Sequence, residues 1–218
     1  MNDELVDPSV EENAHRAREE TAKCRQILDG ARDVFLNVGF DAASMNEIAR
    51  AAGVSKGTLY VYFNSKEALF ENLIRDERRM QAERVFSFDE DMTDIRSVLT
   101  KLGLSFLDSM TQPTSIAHVR TVIAVASKFP QIGRAFYEAG PSYGIDRLAQ
   151  FLRRSAVAGR LEVDDPSFAA TLFMELCLSR HFKKMLFCAA DRPTQAEIVE
   201  HIDGVVRTFL RAYGNQGN

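Results

Sequence analysis

The run Ser55-Lys56-Gly57-Thr58-Leu59-Tyr60-Val61-Tyr62 has the residue types and spacing to do chemistry on a nucleic acid. Lys56 is long enough to reach a guanine edge or a phosphate, and Thr58 offers a hydroxyl together with a methyl that suits thymine. Gly57 lets the backbone come close to whatever the helix faces. Leu59 and Phe63 are apolar and more apt to hold the helix to its own core, and Tyr60 could be half core.

Two elements must position these side chains. Ser44-Met45-Asn46-Glu47 has the form of a capping box, in which the hydroxyl accepts from the third backbone N–H and the Glu reaches back. Ile48, Ala49 and Ala52 then share one face of a short helix, Gly53 suits the left-handed turn that ends it, and Val54 plugs the turn. Ser55 can cap the second helix. Two short helices joined by a Gly-containing turn form a helix-turn-helix, whose second helix enters the major groove. Upstream, Ile27, Leu28, Ala31, Phe35 and Val38 recur at helical spacing from Thr21 to about Val38, where Gly39 can stop a supporting helix. Downstream, Leu69, Phe70, Leu73 and Ile74 carry a fourth helix from Asn64-Ser65-Lys66-Glu67 to about Phe86.

With those flanks, the pattern IA-x-x-AGVSKGTLY-x-YF-x-SKE-x-L over roughly residues 22–82 strongly resembles the TetR family of bacterial transcriptional regulators. The resemblance implies an all-α fold: an N-terminal three-helix helix-turn-helix domain joined to a larger helical body for ligand binding and dimerisation. It implies that Ser44, Tyr60, Tyr62 and Lys66 donate to DNA phosphates, which sets register without reading sequence. Ser55, Lys56, Gly57 and Thr58 complete the expected DNA-facing set. Arg25 lies where the family commonly touches a phosphate, although a solvated or ion-paired Arg is the alternative. The fourth helix would link head to body and be the moving part. Farther on, Phe129-Pro130, Phe136-Tyr137, Gly140-Pro141 and Gly159-Arg160-Leu161 before Asp164-Asp165-Pro166 look like the AefR-like or AcrR-like C-terminal domains of that family.

The formal charge of −4 over 218 residues is unusual for a DNA-binding protein until it is divided along the chain. Residues 1–20 hold seven acids against Arg16 and Arg18, which is −5, so the remainder sums to +1. Phosphate attraction depends on the local field, and Ser44–Lys66 carries Arg50, Lys56 and Lys66 against Glu47 alone. The acidic segment 1–20, without apolar periodicity, reads as a disordered tail. No apolar run suggests a membrane span and the N-terminus is no signal peptide, so a cytoplasmic protein with no membrane partner is expected. Cys24, Cys177 and Cys188 are too scattered for a disulfide framework. There is no phosphate loop, G-x-S-x-G elbow or H-E-x-x-H motif, so neither a catalytic site nor a cofactor is expected.

The domains expected are 21–86 for DNA binding and 87–218 for the body. In the body, Phe88-Asp89-Glu90-Asp91 is a polar break, and helix resumes near Met92 until Pro113. Ile116–Phe129 is β-branched enough for a strand, but Val119, Val122, Ile123 and Ala126 fall at helical intervals. A short helix covers Ile132–Glu138, another follows Gly140-Pro141, one runs from Asp165-Pro166 to about Cys188, and Thr194-Gln195-Ala196-Glu197 caps the last.

The resemblance implies a pocket here for a small, largely apolar effector. Its candidate lining is Phe106, Met110, Phe129, Phe136, Tyr137, Tyr143, Phe151, Phe173, Cys177 and His181. By residue type alone, each is more often plain core. Cys177 and His181, four apart, could be half a metal site, but no second pair stands at ligand spacing and none is assigned. Apolar residues on the last two helices cover more circumference than one core needs, which implies a partner. Phe182, Met185, Ile202, Val206, Phe209 and Leu210 are the expected homodimer interface. The reading is thus a dimeric repressor on a near-palindromic operator released by an effector; a constitutive DNA-binding or architectural dimer without effector is the alternative.

Overall fold

The computed structural model describes residues 8–87 and 93–215, so the polar break at Phe88–Asp91 and the extreme N-terminus lie outside the described residues. The elements are α1 (Pro8–Ala42), α2 (Met45–Ala51), α3 (Lys56–Tyr62), α4 (Lys66–Val85), α5 (Ile95–Met110), α6 (Pro113–Ala126), α7 (Pro130–Tyr137), a π-helical turn (Glu138–Ser142), α8 (Tyr143–Val157), α9 (Pro166–Leu178), α10 (Phe182–Leu186) and α11 (Gln195–Tyr213). The fold is all-α; the one extended pairing among the described residues is a single bridge between Leu161 and Gly214.

Two of the expected boundaries move. Residues 8–20, read as part of a disordered tail, belong to α1. Their Glu, Ala and Arg content favours helix without an apolar face, and Pro8 suits a first helical position. Gly39, at φ 78°, interrupts the same helix. The helix expected from Pro166 to about Cys188 ends instead at Leu178, and a separate short helix follows from Phe182.

The chain divides into two compact units at Leu73 and Ile74, inside α4 rather than after it. In the first, Ile27, Ile48, Leu59 and Leu69 are fully buried. The rings of Phe35, Phe40 and Phe70 meet with centroids 4.7–5.9 Å apart. Gly30 is required where α1 crosses α2, because a Cβ there would lie 2.5 Å from the Ala52 backbone. Gln26 Nε2 donates to the Ala52 carbonyl at 2.6 Å, satisfying an end group of α2.

In the second unit α5, α8, α9 and α11 surround a core containing Leu99, Leu107, Leu148, Phe151, Phe173, Ile202 and Phe209. The helix starts follow the sequence signals: Asp94 and Asp165 accept from the first-turn N–H groups, and Thr194 with Glu197 forms a full capping box. Pro113, Pro130 and Pro166 occupy first turns.

This packing corrects the expected dimer interface. Ile202 and Val206 are fully buried within their own unit, as are Phe209 and, nearly so, Met185. Ile202 sits so close to Gly103 of α5 that a Cβ on that glycine would lie 2.9 Å from it. The apolar stripe of α11 therefore faces its own core, and only Phe182 and Leu210 of the expected set are partly exposed. The outward residues are different ones, Phe168 at 56% and Val199 at 47% exposure.

Candidate DNA-reading helix and effector cavity

The helix-turn-helix forms as its capping chemistry dictates. Ser44 Oγ accepts from the Glu47 N–H at 3.3 Å and donates to Glu47 Oε2 at 2.7 Å, while the Ser44 N–H donates to the same carboxylate at 3.0 Å. The Ser44 hydroxyl and then its backbone N–H hold the Glu47 carboxyl below its ordinary pKa. Gly53, at φ 63°, makes the turn. Ser55 Oγ accepts from the Thr58 N–H at 3.0 Å and pairs with the Thr58 hydroxyl at 2.8 Å.

Along α3, Leu59 is fully buried and Phe63 nearly so, which leaves Lys56, Gly57, Tyr60 and Val61 on the outward face. Thr58 and Tyr62 are half-buried beside it, and Lys56 Nζ lies 5.9 Å from the Tyr60 ring centre. Arg25 is exposed on α1. Val61, outside the expected DNA-facing set, is 83% exposed, an apolar branched side chain one turn after Gly57. The signal was its four-residue offset from Gly57 and its opposition to Leu59 and Phe63. Nothing in the protein demands glycine at position 57, since a Cβ there would meet only Ser55 Oγ at 3.7 Å.

Lys66 differs from its expected role. Its ammonium donates to the carbonyls of Phe40, Asp41 and Ala43 at 2.7, 3.1 and 2.9 Å, and lies 4.6 Å from the Phe40 ring centre. Those bonds use its three donors. In this conformation it ties α4 to the end of α1 and has no donor left for a phosphate.

In the second unit, a cavity of about 130 Å³ is lined by Arg78, Gln81, Ala82 and Val85 of α4 and by Phe86 just after it. These positions fall at i, i+3, i+4, i+7 and i+8, one helical face. Phe106, Ser109 and Met110 of α5 add to the wall, as do Phe136, Gly140, Pro141 and Ile145, and Thr171, Met174, Glu175 and Leu178 of α9. The surface is mostly apolar with a few polar groups, the usual constitution of a small-molecule site. One wall is set by close packing, for a Cβ on Gly144 would lie 2.5 Å from the ring of Phe86.

Of the expected pocket residues, Phe106, Met110 and Phe136 line the cavity and the others do not. Phe151, Phe173 and Cys177 are buried in the core, and Phe173 meets Phe209 edge to face at 5.3 Å. Helix phase explains this: on α9, Phe173 and Cys177 share one face, whereas Thr171, Met174, Glu175 and Leu178 share another. Tyr137 is 57% exposed, Tyr143 packs against the core, and Phe129 sits at the start of α7 beside Lys128. His181 meets His201 edge to face with ring centres 5.5 Å apart. Desolvation, then the neighbouring His201, holds its pKa below the ordinary value. Burial pushes the Cys177 thiol far up, so it is a protonated core group.

Arg78 is the polar centre of the cavity wall. It is only 4% exposed, its Nη1 donates to Gln81 Oε1 at 2.7 Å, and its guanidinium carbon lies 4.5 Å from the Phe136 ring centre. Gln81 is fixed in turn, since its amide donates to Ser109 Oγ at 2.6 Å and Ser115 Oγ at 3.3 Å. The buried Arg78 Nε has no hydrogen-bond partner.

An exposed reading helix on a helix-turn-helix, with a separate helical body, defines a transcriptional regulator class, and comparison with known proteins agrees. Residues 27–73 match the profile of bacterial regulatory proteins of the tetR family, and residues 97–215 that of the AefR-like transcriptional repressor C-terminal domain. The chain is 27% identical over 191 residues to the HTH-type transcriptional repressor Rv1474c of Mycobacterium tuberculosis, covering 85% of this chain and 94% of that one. Among solved structures it is similar to a TetR-family transcriptional regulator from Mesorhizobium loti, with TM-score 0.82, 29% identity and coverage of 89% and 98%. It is also similar to the flavonoid-responsive regulator FrrA, with TM-score 0.78, 35% identity and coverage of 90% and 100%. The chain belongs to the TetR family of bacterial transcriptional regulators. No helix among the described residues is long and apolar enough to cross a membrane.

Proposed function

We propose that this regulator is a ligand-responsive repressor that binds a near-palindromic operator as a homodimer and leaves it when a small, largely apolar effector enters the body. The observation that carries the reading is the cavity walled by Val85, Phe86, Phe106, Met110 and Phe136 and studded with Arg78, Gln81 and Ser109. A purely architectural dimer has no use for such a space, which forfeits packing contacts unless something fills it. A face of α4 lines the cavity, so an occupant that prefers one placement of that helix over another shifts the equilibrium between DNA-competent and DNA-released states.

Lys56, Gly57, Thr58, Tyr60 and Val61 read and contact the groove, with Arg25, Ser44, Ser55 and Tyr62 at its flanks. A second copy is needed because one reading helix covers few base pairs, and two-fold pairing sets two of them about 34–36 Å apart or a multiple of that. Support for pairing through α9 comes from its apolar residues on both sides. Ala169, Ala170, Phe173 and Cys177 are buried, yet Phe168, Leu172 and Leu176 on the neighbouring stripe retain exposure.

The test is fluorescence-anisotropy binding to DNA upstream of the chain's own gene at fixed salt, with and without a panel of apolar small molecules. Tight binding to a palindrome that one compound releases is the expected result. Binding that persists in the presence of compounds shown by calorimetry to occupy the body would favour the effector-free dimer.

A further inference from the structure

Arg78 is a buried cation with most of its donors unspent. A buried guanidinium loses most of its hydration and needs a compensating charge or a full set of acceptors. Among the described residues its hydrogen bond is to Gln81, which serves one of five N–H donors, and the buried Nε has no partner. Among the described residues no salt bridge to Arg78 is formed. The neighbouring Glu77 carboxylate is directed to His118 Nδ1 at 3.2 Å, and Arg75, the preceding cation on α4, faces Glu138. Desolvation lowers the Arg78 pKa to about 10, with Glu77 opposing, so the group remains cationic at neutral pH. Phe136 covers one side of the guanidinium, and the Gln81, Ser109 and Ser115 chain locks the Arg78–Gln81 pair. The rest of the wall is apolar: Phe86, Phe106, Met110 and Met174 surround the space.

We propose that the effector is an amphipathic acid, an apolar body carrying one carboxylate or similarly acidic group, whose anion is held by Arg78. The inference rests on the reading of this cavity as the effector site and narrows its ligand class. A planar guanidinium with only Nη1 engaged keeps donors suited to forked recognition of a carboxylate, and water exclusion strengthens that contact. The cavity volume corresponds to about ten water-sized places, enough for a short chain or a substituted ring. Glu175, which lines the same cavity but is exposed, marks a second polar point that an anionic ligand avoids and so orients it.

The test is isothermal titration calorimetry on the full chain with matched probes: decanoate against decan-1-ol, and 3-phenylpropanoate against 3-phenylpropan-1-ol, at pH 7.5. Wild type is expected to bind each acid at least tenfold tighter than its alcohol, Arg78→Gln to lose that preference, and Arg78→Lys to retain part of it. Alcohols that bind as tightly as the acids overturn the anion proposal and leave the cavity an effector site. An acid preference that survives in Arg78→Gln removes Arg78 from the contact and overturns the proposal as well. Heat from none of the four probes overturns it too, and operator release by another compound then decides separately whether the cavity takes any effector. The wild-type comparison needs no variant, so a misfolded Arg78→Gln leaves it decisive.

Discussion

Gly57→Ala separates folding from DNA reading because the two respond with opposite sign. Gly57 is the second residue of α3, and its φ is not in the left-handed range. The added methyl would meet only Ser55 Oγ at 3.7 Å, an ordinary contact. Replacing glycine by alanine within a helix stabilises by about 0.5–1 kcal/mol, and a first-turn position falls at the lower end of that range. The variant should therefore unfold in urea with a midpoint raised by about 0.5 kcal/mol divided by an unchanged slope. If position 57 is the point of closest approach to the groove, the same methyl holds the helix off the DNA. A tenfold loss of operator affinity, about 1.4 kcal/mol, is the minimum expected by fluorescence anisotropy. A variant that is more stable and binds the operator as tightly as wild type would refute the placement of Gly57 against DNA. A destabilised variant would show that the fold itself needs this glycine.

Lys66→Met should cost about 2 kcal/mol of stability in the DNA-binding unit, because three carbonyls lose a charged donor; an unchanged melting curve with a flattened salt dependence of DNA binding would restore the phosphate role. Phe209→Asp, at a site only 1% exposed, should abolish folding rather than yield monomers. Phe168→Asp with Val199→Asp should leave the circular-dichroism spectrum intact while shifting dimer to monomer in sedimentation, and an intact dimer would exclude those faces. Glu47 has its pKa lowered in the folded chain, so its capping contribution is complete above the unfolded value near 4.5 and is lost as pH falls through the folded one. In Glu47→Gln the acid side of the stability profile should be shallower there; an identical profile would show that the cap does not matter to acid stability.

Local signals were legible where one residue type has one physical use. The Ser44–Glu47 and Thr194–Glu197 boxes, the Gly53 turn and the Asp165-Pro166 helix start all appear as the sequence implied, whereas Pro113 and Pro130, read as helix stops, also begin the next helices. Residues whose role depends on which way a helix turns were not. Phe173 and Met174 are adjacent, yet one fills the core and the other lines the cavity. Val206 and Phe209 have the composition of an interface but face α11's own neighbours. Arg78 was overlooked because α4 was read as a connector, although its stripe from Arg78 to Phe86 had the period of a buried face.

If the cavity is the effector site, the close approach of Gly144 to Phe86 makes position 144 the place where ligand length would be set. Any side chain at 144 would press on the Phe86 ring, which borders the cavity. Under the proposed effector reading, a single alanine there is expected to narrow the cavity at its Phe86 wall. Divergent descendants of such a protein could thus exchange long effectors for short ones by one substitution, and a designer of biosensors could do the same.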